Sequence, residues 1–166
     1  MPEANNIEAQ RPLWAPWRID YIRADKPEGC FFCEKGGRDC RKDHVVHKGK
    51  RCFVLLNDFP YNCGHLLVAP YRHLADLTLL EPEELLELGQ LLVKAETVLR
   101  ETMRPDGFNI GFNIGRAAGA GVKDHVHGHV VPRWVGDTNF MPVLNASHCI
   151  PEALDASAEL LRQAWE

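Results

Sequence analysis

Short apolar runs open the pattern. Arg51 to Asn57 is rich in β-branched and aromatic residues, and Gly64-His65-Leu66-Leu67-Val68-Ala69-Pro70 is a second run bounded by glycine and proline, so each reads as a strand. Asp58-Phe59-Pro60-Tyr61-Asn62-Cys63 between them carries turn residues and reads as their connection. From Pro82 the period becomes helical. Leu85, Leu88, Leu92, Ala95 and Leu99 recur at spacings of three and four, Glu83 and Glu84 suit a first turn, and Pro105-Asp106-Gly107 stops the run. Gly107 to Gly115 then repeats a Gly-Phe-Asn-Ile unit. Its even period sets Phe108, Ile110, Phe112 and Ile114 on one face of a strand and Asn109 and Asn113 on the other.

A glycine-rich stretch, Gly115-Arg116-Ala117-Ala118-Gly119-Ala120-Gly121, reads as a flexible loop leading into His125-Val126-His127-Gly128-His129-Val130-Val131-Pro132-Arg133. Here histidine alternates with small or apolar residues. Alternation is the side-chain period of a strand, whose same-face residues lie about 6.6 Å apart, so the segment predicts three imidazoles on one face. An amphipathic helix is expected from about Pro151 to Trp165. Strands, helix, strands and helix in that order predict an α+β domain with an antiparallel sheet, one long helix and a C-terminal helix.

The length, 166 residues, suits one domain with an arm. The expected division is a disordered terminus at 1–10, an arm with a cysteine-containing loop at 11–43, and the domain at 44–166. In the arm, Leu13-Trp14-Ala15-Pro16-Trp17-Arg18 brings two tryptophans that need a packing surface. Residues 26–43 read as a loop around Cys30-Phe31-Phe32-Cys33. A net charge of −4 argues against coating a long nucleic acid, while leaving room for a small phosphorylated ligand. No apolar stretch approaches a membrane span, and the first residues lack a basic then apolar leader, so the expected location is the cytoplasm. In that reducing setting the cysteine pair reads as half of a metal site, or as a redox pair. Cys52 and Cys149 read as small core residues.

Several imidazoles facing one pocket can bind a metal, shuttle protons or attack an electrophile, and spacing alone does not choose. The wider sequence does. Asn57 through Pro70, the glycine-rich loop and His125-Val126-His127-Gly128-His129-Val130-Val131 occur together in an order that resembles the histidine triad family, over roughly residues 45 to 135. The Leu13 to Arg18 arm and Val131-Pro132-Arg133-Trp134-Val135-Gly136-Asp137 are similar to its bacterial diadenosine tetraphosphate phosphorylase and hydrolase branch.

That resemblance implies nucleotidyl transfer at the α-phosphate of a dinucleoside polyphosphate through a covalent nucleotidyl-histidine, with phosphate or water as acceptor. It implies His127 as nucleophile, with His129 and His65 stabilising charge. It places Asn57 at a ribose contact, Asn113 at a phosphate or leaving-group contact, Leu55 and Leu67 in the base pocket, and Gly119 and Gly121 in the phosphate-facing loop. Where fragile-histidine-triad relatives carry a glutamine, this loop has Ala120, Gly121 and Val122, which leaves the polyphosphate length open.

The resemblance extends to galactose-1-phosphate uridylyltransferase and there implies a structural zinc on Cys30, Cys33, His73 and His125. The residues themselves also permit a local set of Cys30, Cys33, Cys40 and His44. Relatives pair as homodimers, with the aromatic arm and Trp165 as candidate exchanged contacts. Two other functions compete: a nucleoside phosphoramidase, whose serine before the triad is missing from Gly121-Val122-Lys123-Asp124, and a non-catalytic purine-nucleotide-binding module.

Overall fold

The computed structural model describes residues 29–37, 44–137 and 153–165. Its elements are α1 (Phe31–Gly37), β1 (Val45–Lys48), β2 (Cys52–Leu56), β3 (Leu66–Pro70), a 3-10 turn (Leu77–Leu79), α2 (Pro82–Met103), β4 (Gly107–Phe112), a second 3-10 turn (Arg116–Ala118), β5 (Gly128–Arg133) and α3 (Leu154–Trp165). The five strands form one antiparallel sheet in the order β1-β2-β3-β5-β4.

Strand alternation divides this sheet into two faces with different work. Cys52, Val54 and Leu56 of β2, Leu66 and Val68 of β3, and Val130 of β5 join Leu88, Leu91, Ala95, Val98 and Leu99 of α2 and Ala158, Leu161 and Trp165 of α3 in the main core. The opposite face carries Phe53, Leu55, Leu67 and Ala69, covered by Phe32 of α1. One row crosses the sheet there through paired residues: Val45, Leu55, Leu67, His129 and Gly111. Helices α2 and α3 thus close one face, and the other is shared by α1 and the histidines.

Helix α2 begins at Pro82, where a missing N–H costs nothing, and Glu84 accepts from the Glu81 N–H at 2.9 Å. Glu84 is buried at 3% exposure, yet Arg72 clamps its carboxylate through Nε at 2.7 Å and Nη2 at 2.6 Å. That guanidinium holds the Glu84 carboxyl below its ordinary value and ties the end of β3, just before His73, to the helix start. Arg104 ends the helix in the left-handed region, followed by Pro105.

Several expectations shift. The buried stripe of α2 is Leu88, Leu91, Ala95, Val98 and Leu99; of the expected positions Leu88, Ala95 and Leu99 are buried, Leu92 packs partly buried against the core, and Leu85 is exposed at 52%. Residues 31–37 of the supposed loop are helical, buried through Phe32. The Gly107–Gly115 strand ends at Phe112, with Phe108 and Phe112 packed on the core but Ile110 and Ile114 exposed, because β4 is an edge strand that the helices only partly cover. Strand β1 joins the sheet with a register shift between Val45 and His47. Trp165 stacks on His47 of its own chain, centroids 5.3 Å apart, rather than reaching outward. Cys52 is buried and its thiol is pushed up to about 12 by desolvation, as suits a core residue. The 1–10 terminus, the tryptophan arm, Cys40 and Cys149 lie outside the described residues, as do Pro151 and residue 152 ahead of α3.

Gly64, at the turn into β3, has φ +71, and a Cβ there would meet Met103 Sδ at 2.5 Å and Leu99 Cδ2 at 3.1 Å. Gly64→Ala should therefore lose about 1–3 kcal/mol, from left-handed backbone strain plus overpacking. A urea midpoint that falls at unchanged slope is the expected reading.

Candidate functional site

The alternating histidines do not all belong to a strand. Ladder pairing of β5 starts at Gly128, so only His129 is a strand residue, while His125 lies in a bend and His127 in the unpaired stretch that leads to it. The reason is a different partner: the Val126 N–H donates to the Leu74 carbonyl at 2.6 Å, tying this approach to the segment after β3. All three imidazoles are buried nonetheless, and His65, at the entry to β3, is fully buried beside them.

The hydrogen bonds assign the ring protons. His65 Nδ1 accepts from the Tyr61 backbone N–H at 3.1 Å, with the Asn57 side-chain amide also at 3.1 Å. The His65 proton is therefore on Nε2, which donates to His129 Nδ1 at 3.0 Å. A neutral His129 then carries its proton on Nε2, which donates to Asn113, 3.4 Å away, when that amide presents its oxygen there. His127 donates from Nδ1 to the His125 carbonyl at 2.8 Å, which leaves the Nε2 lone pair uncommitted. Its ring centroid is 4.9 Å from that of His129. An uncommitted imidazole lone pair and a donor N–H thus lie side by side.

Burial keeps this group neutral. Desolvation, then the neighbouring charges His129 and His127 would bear, pushes His65 down to about 3. Desolvation, then His127, pushes His129 down to about 4. His127 is lowered by burial, partly opposed by its bond to the His125 carbonyl.

A second cluster lies at the other end of the same segment. Cys30, Cys33, His73 and His125 bring one ligand atom each to within 4.8 Å of one another. His125 Nδ1 is 3.3 Å from Cys30 Sγ and 3.7 Å from Cys33 Sγ, and His73 Nδ1 is 3.4 Å from Cys33 Sγ. Tetrahedral bonds of about 2.3 Å to sulfur and about 2.0 Å to imidazole would separate those atoms by roughly 3.5 Å, so the set fits a metal ion such as zinc. His125 Nε2 donates to the Pro70 carbonyl at 2.9 Å, which fixes the tautomer with Nδ1 free to ligate. His44 is elsewhere: its two nitrogens face Asp58 at 2.6 Å and Asp155 at 3.0 Å.

Of the other expected residues, Leu55 and Leu67 lie on the histidine face of the sheet, buried with Phe53 and Phe32. Asn57 is engaged at both ends of its amide, with Oδ1 accepting from the Phe59 N–H at 3.0 Å. Within the glycine-rich stretch Arg116–Ala118 forms a 3-10 turn, closed by the Gly119 N–H donating to the Arg116 carbonyl at 3.1 Å. Gly121 follows that turn.

Two aromatics went unassigned in the sequence. Phe32 places its ring 4.5 Å from His127 and 5.1 Å from His125. Tyr61, half exposed, lies 4.6 Å from His65 and near-parallel to His129 at 5.8 Å. Their positions between two cysteines and within the turn before His65 were the available signals.

The profile of the HIT domain matches residues 39–135, more than half of the chain. A Mycobacterium tuberculosis protein named AP-4-A phosphorylase is 39% identical over 165 residues, covering 92% of this chain and 83% of its own. Among solved structures, a zinc-bound histidine triad family protein from Mycobacterium smegmatis superposes with a TM-score of 0.67 at 30% identity, covering 82% of this chain and 93% of its own. A histidine triad nucleotide-binding protein from Sulfolobus tokodaii gives 0.68 at 26% identity, covering 82% and 91%. The chain belongs to the histidine triad family.

The lowered imidazole values carry a stability consequence. His65 and His129 take up protons near 6.5 when unfolded but only near 3 and 4 in the fold. As pH falls below about 6.5 the unfolded chain binds protons first, so stability is full above that point and is lost progressively down to about pH 3. Urea titrations across this window should show the folding free energy falling with pH, and His65→Asn should flatten the slope.

Proposed function

We propose that this chain is an enzyme cleaving dinucleoside polyphosphates of the diadenosine tetraphosphate type at an α-phosphate, through a nucleotidyl group carried on His127. The observation that supports this most is the His127 Nδ1 hydrogen bond to the His125 carbonyl, which aims the Nε2 lone pair outward next to a donating His129. The name of the M. tuberculosis relative agrees with it.

On this reading His127 Nε2 attacks the α-phosphorus in line. A P–N bond forms, the bridging P–O bond breaks, and its electron pair leaves with the departing nucleoside polyphosphate. The low-lying pKa of His127 keeps its lone pair free at neutral pH. His129 Nε2–H stabilises charge on the phosphate oxygens, and His65, donating to His129 Nδ1, fixes that orientation. Asn57 and Asn113, at the two ends of the His65–His129 pair, contact the ribose and the phosphate or leaving group. Leu55 and Leu67 wall the base, and the turn ending in Gly119 and Gly121 follows the polyphosphate. The acceptor then attacks the same phosphorus and releases His127: phosphate gives a nucleoside diphosphate, and water gives a monophosphate.

Cys30, Cys33, His73 and His125 would hold a zinc ion, which supplies no chemical step and fastens α1 to the catalytic segment. The cytoplasm suits the free thiols of this cluster. No helix among the described residues is long and apolar enough to cross a membrane. The outer edge of β4, with Ile110 exposed at 44%, is the surface on which two copies would pair into a homodimer.

Incubation with diadenosine tetraphosphate followed by rapid quench and mass spectrometry should find an adenylyl adduct on His127. His127→Ala should lose the adduct and at least about a thousandfold in turnover. An unlabelled wild type, or full activity in the variant, would reject the mechanism. Turnover with and without inorganic phosphate separates the two acceptors by their products.

Metal analysis tests the other cluster. Cys30→Ser should lower bound zinc well below the wild-type content, and unchanged content removes Cys30 from the ligand set. Light scattering reads the assembly: a dimer is expected, with Ile110→Lys shifting it toward monomer, and a wild-type monomer refutes the pairing.

A further inference from the structure

We propose that the Cys30-Phe31-Phe32-Cys33 turn positions the nucleophile, with Phe32 as the residue that fixes the plane of the His127 ring. The proposal rests on the reading of His127 as the attacking histidine.

A hydrogen bond from Nδ1 to the His125 carbonyl restrains the His127 imidazole along one edge, and packing on its faces holds the rest of the plane. In-line attack needs the Nε2 lone pair aimed to within about 10–20°. Besides the His129 ring at 4.9 Å, Phe32 supplies an apolar constraint on that plane. Its ring is 1% exposed, its centroid lies 4.5 Å from that of His127 with 34° between the planes, and it also leans on His125 at 5.1 Å. Phe31 braces it edge-on at 5.2 Å.

Both groups that restrain His127 are tied to the cysteine and histidine cluster. Phe32 lies between two of its residues in sequence, and the accepting carbonyl belongs to His125, whose Nδ1 is 3.3 Å from Cys30 Sγ. Gathering the four ligand atoms therefore presses the aromatic ring and the backbone acceptor toward the same imidazole. On this account the cluster does more than stabilise the fold: it carries the orientation of a residue that it does not ligate.

The test compares full-length, zinc-loaded wild type with Phe32→Leu, which keeps apolar bulk and removes the flat face. Zinc content and the KM for diadenosine tetraphosphate should stay within about twofold. The single-turnover rate of His127 adenylylation should fall about tenfold to a hundredfold, the range expected for misplacement of a reacting group. Should Phe32→Leu fail to accumulate as folded protein, Phe32→Met asks the same question.

Wild-type protein with ¹⁵N-labelled histidine gives a readout independent of turnover. The His127 Nδ1–H resonance should be sharp with zinc bound, broaden on chelation and return when zinc is restored. An adenylylation rate unchanged in Phe32→Leu overturns the positioning role while leaving His127 as nucleophile. So does a raised KM at unchanged rate, which would make Phe32 a wall of the substrate pocket, or a resonance indifferent to zinc. Wild type that forms no adduct overturns the nucleophile and, with it, this role.

Discussion

A neutral imidazole has one proton for two nitrogens, and this fold commits those nitrogens to different partners. The Tyr61 amide spends the Nδ1 lone pair of His65, so His65 donates from Nε2 to His129, and His129 is left with an outward N–H. The His125 carbonyl spends the Nδ1 proton of His127, so the nitrogen beyond it has a lone pair. The Pro70 carbonyl spends the Nε2 proton of His125, so its other nitrogen faces two sulfurs. A ring donor, an uncommitted lone pair and a nitrogen facing two thiols are one side chain in three hydrogen-bonding situations. Among the described residues no fully buried side-chain nitrogen or oxygen lacks a potential hydrogen-bond partner.

Such an arrangement needs a face of the sheet that is dry yet not filled by a helix. Helices α2 and α3 both pack on the opposite face, and the short α1 covers only the Phe53 and Leu67 side. The resulting half-closed face desolvates the imidazoles enough to keep them neutral at pH 7, since a charged ring there would lose hydration and face two others. Neutrality suits attack on phosphorus: a protonated ring has no lone pair to offer. His125 of the cysteine and histidine cluster and His127 share one short stretch, so a displacement of either is felt by both.

The strands β2 and β3 and the helix α2 were legible because local pattern and tertiary demand agree there: their apolar runs are long enough to show a period. Strand β1 was not, since four residues containing His47 and Lys48 carry no period, and its place comes from pairing with β2. The helix α1 was hidden behind Gly29, Gly36 and Gly37; it forms because Phe32 has a buried seat and the Glu34 N–H finds the Cys30 carbonyl. Leu85 satisfies the helical spacing and is exposed, because spacing reports that a stripe exists and not which edge of it meets the sheet.

The candidate site divides in the same way. Sequence alone determined the inventory: three alternating histidines, a fourth before an apolar strand, a cysteine pair and a long amphipathic helix, all properties of neighbouring residues. It also determined the even spacing that keeps His125, His127 and His129 close. Tertiary structure decided which nitrogen of each ring is free, because that depends on Tyr61, Pro70 and the pairing of Leu67 with His129. It also decided that Cys30 and His125, separated by 95 positions, converge, and that the turn between the cysteines delivers Phe32 onto His127. Chemistry at this site turns on hydrogen-bond partners distant in the chain, and a pattern of neighbours does not encode them.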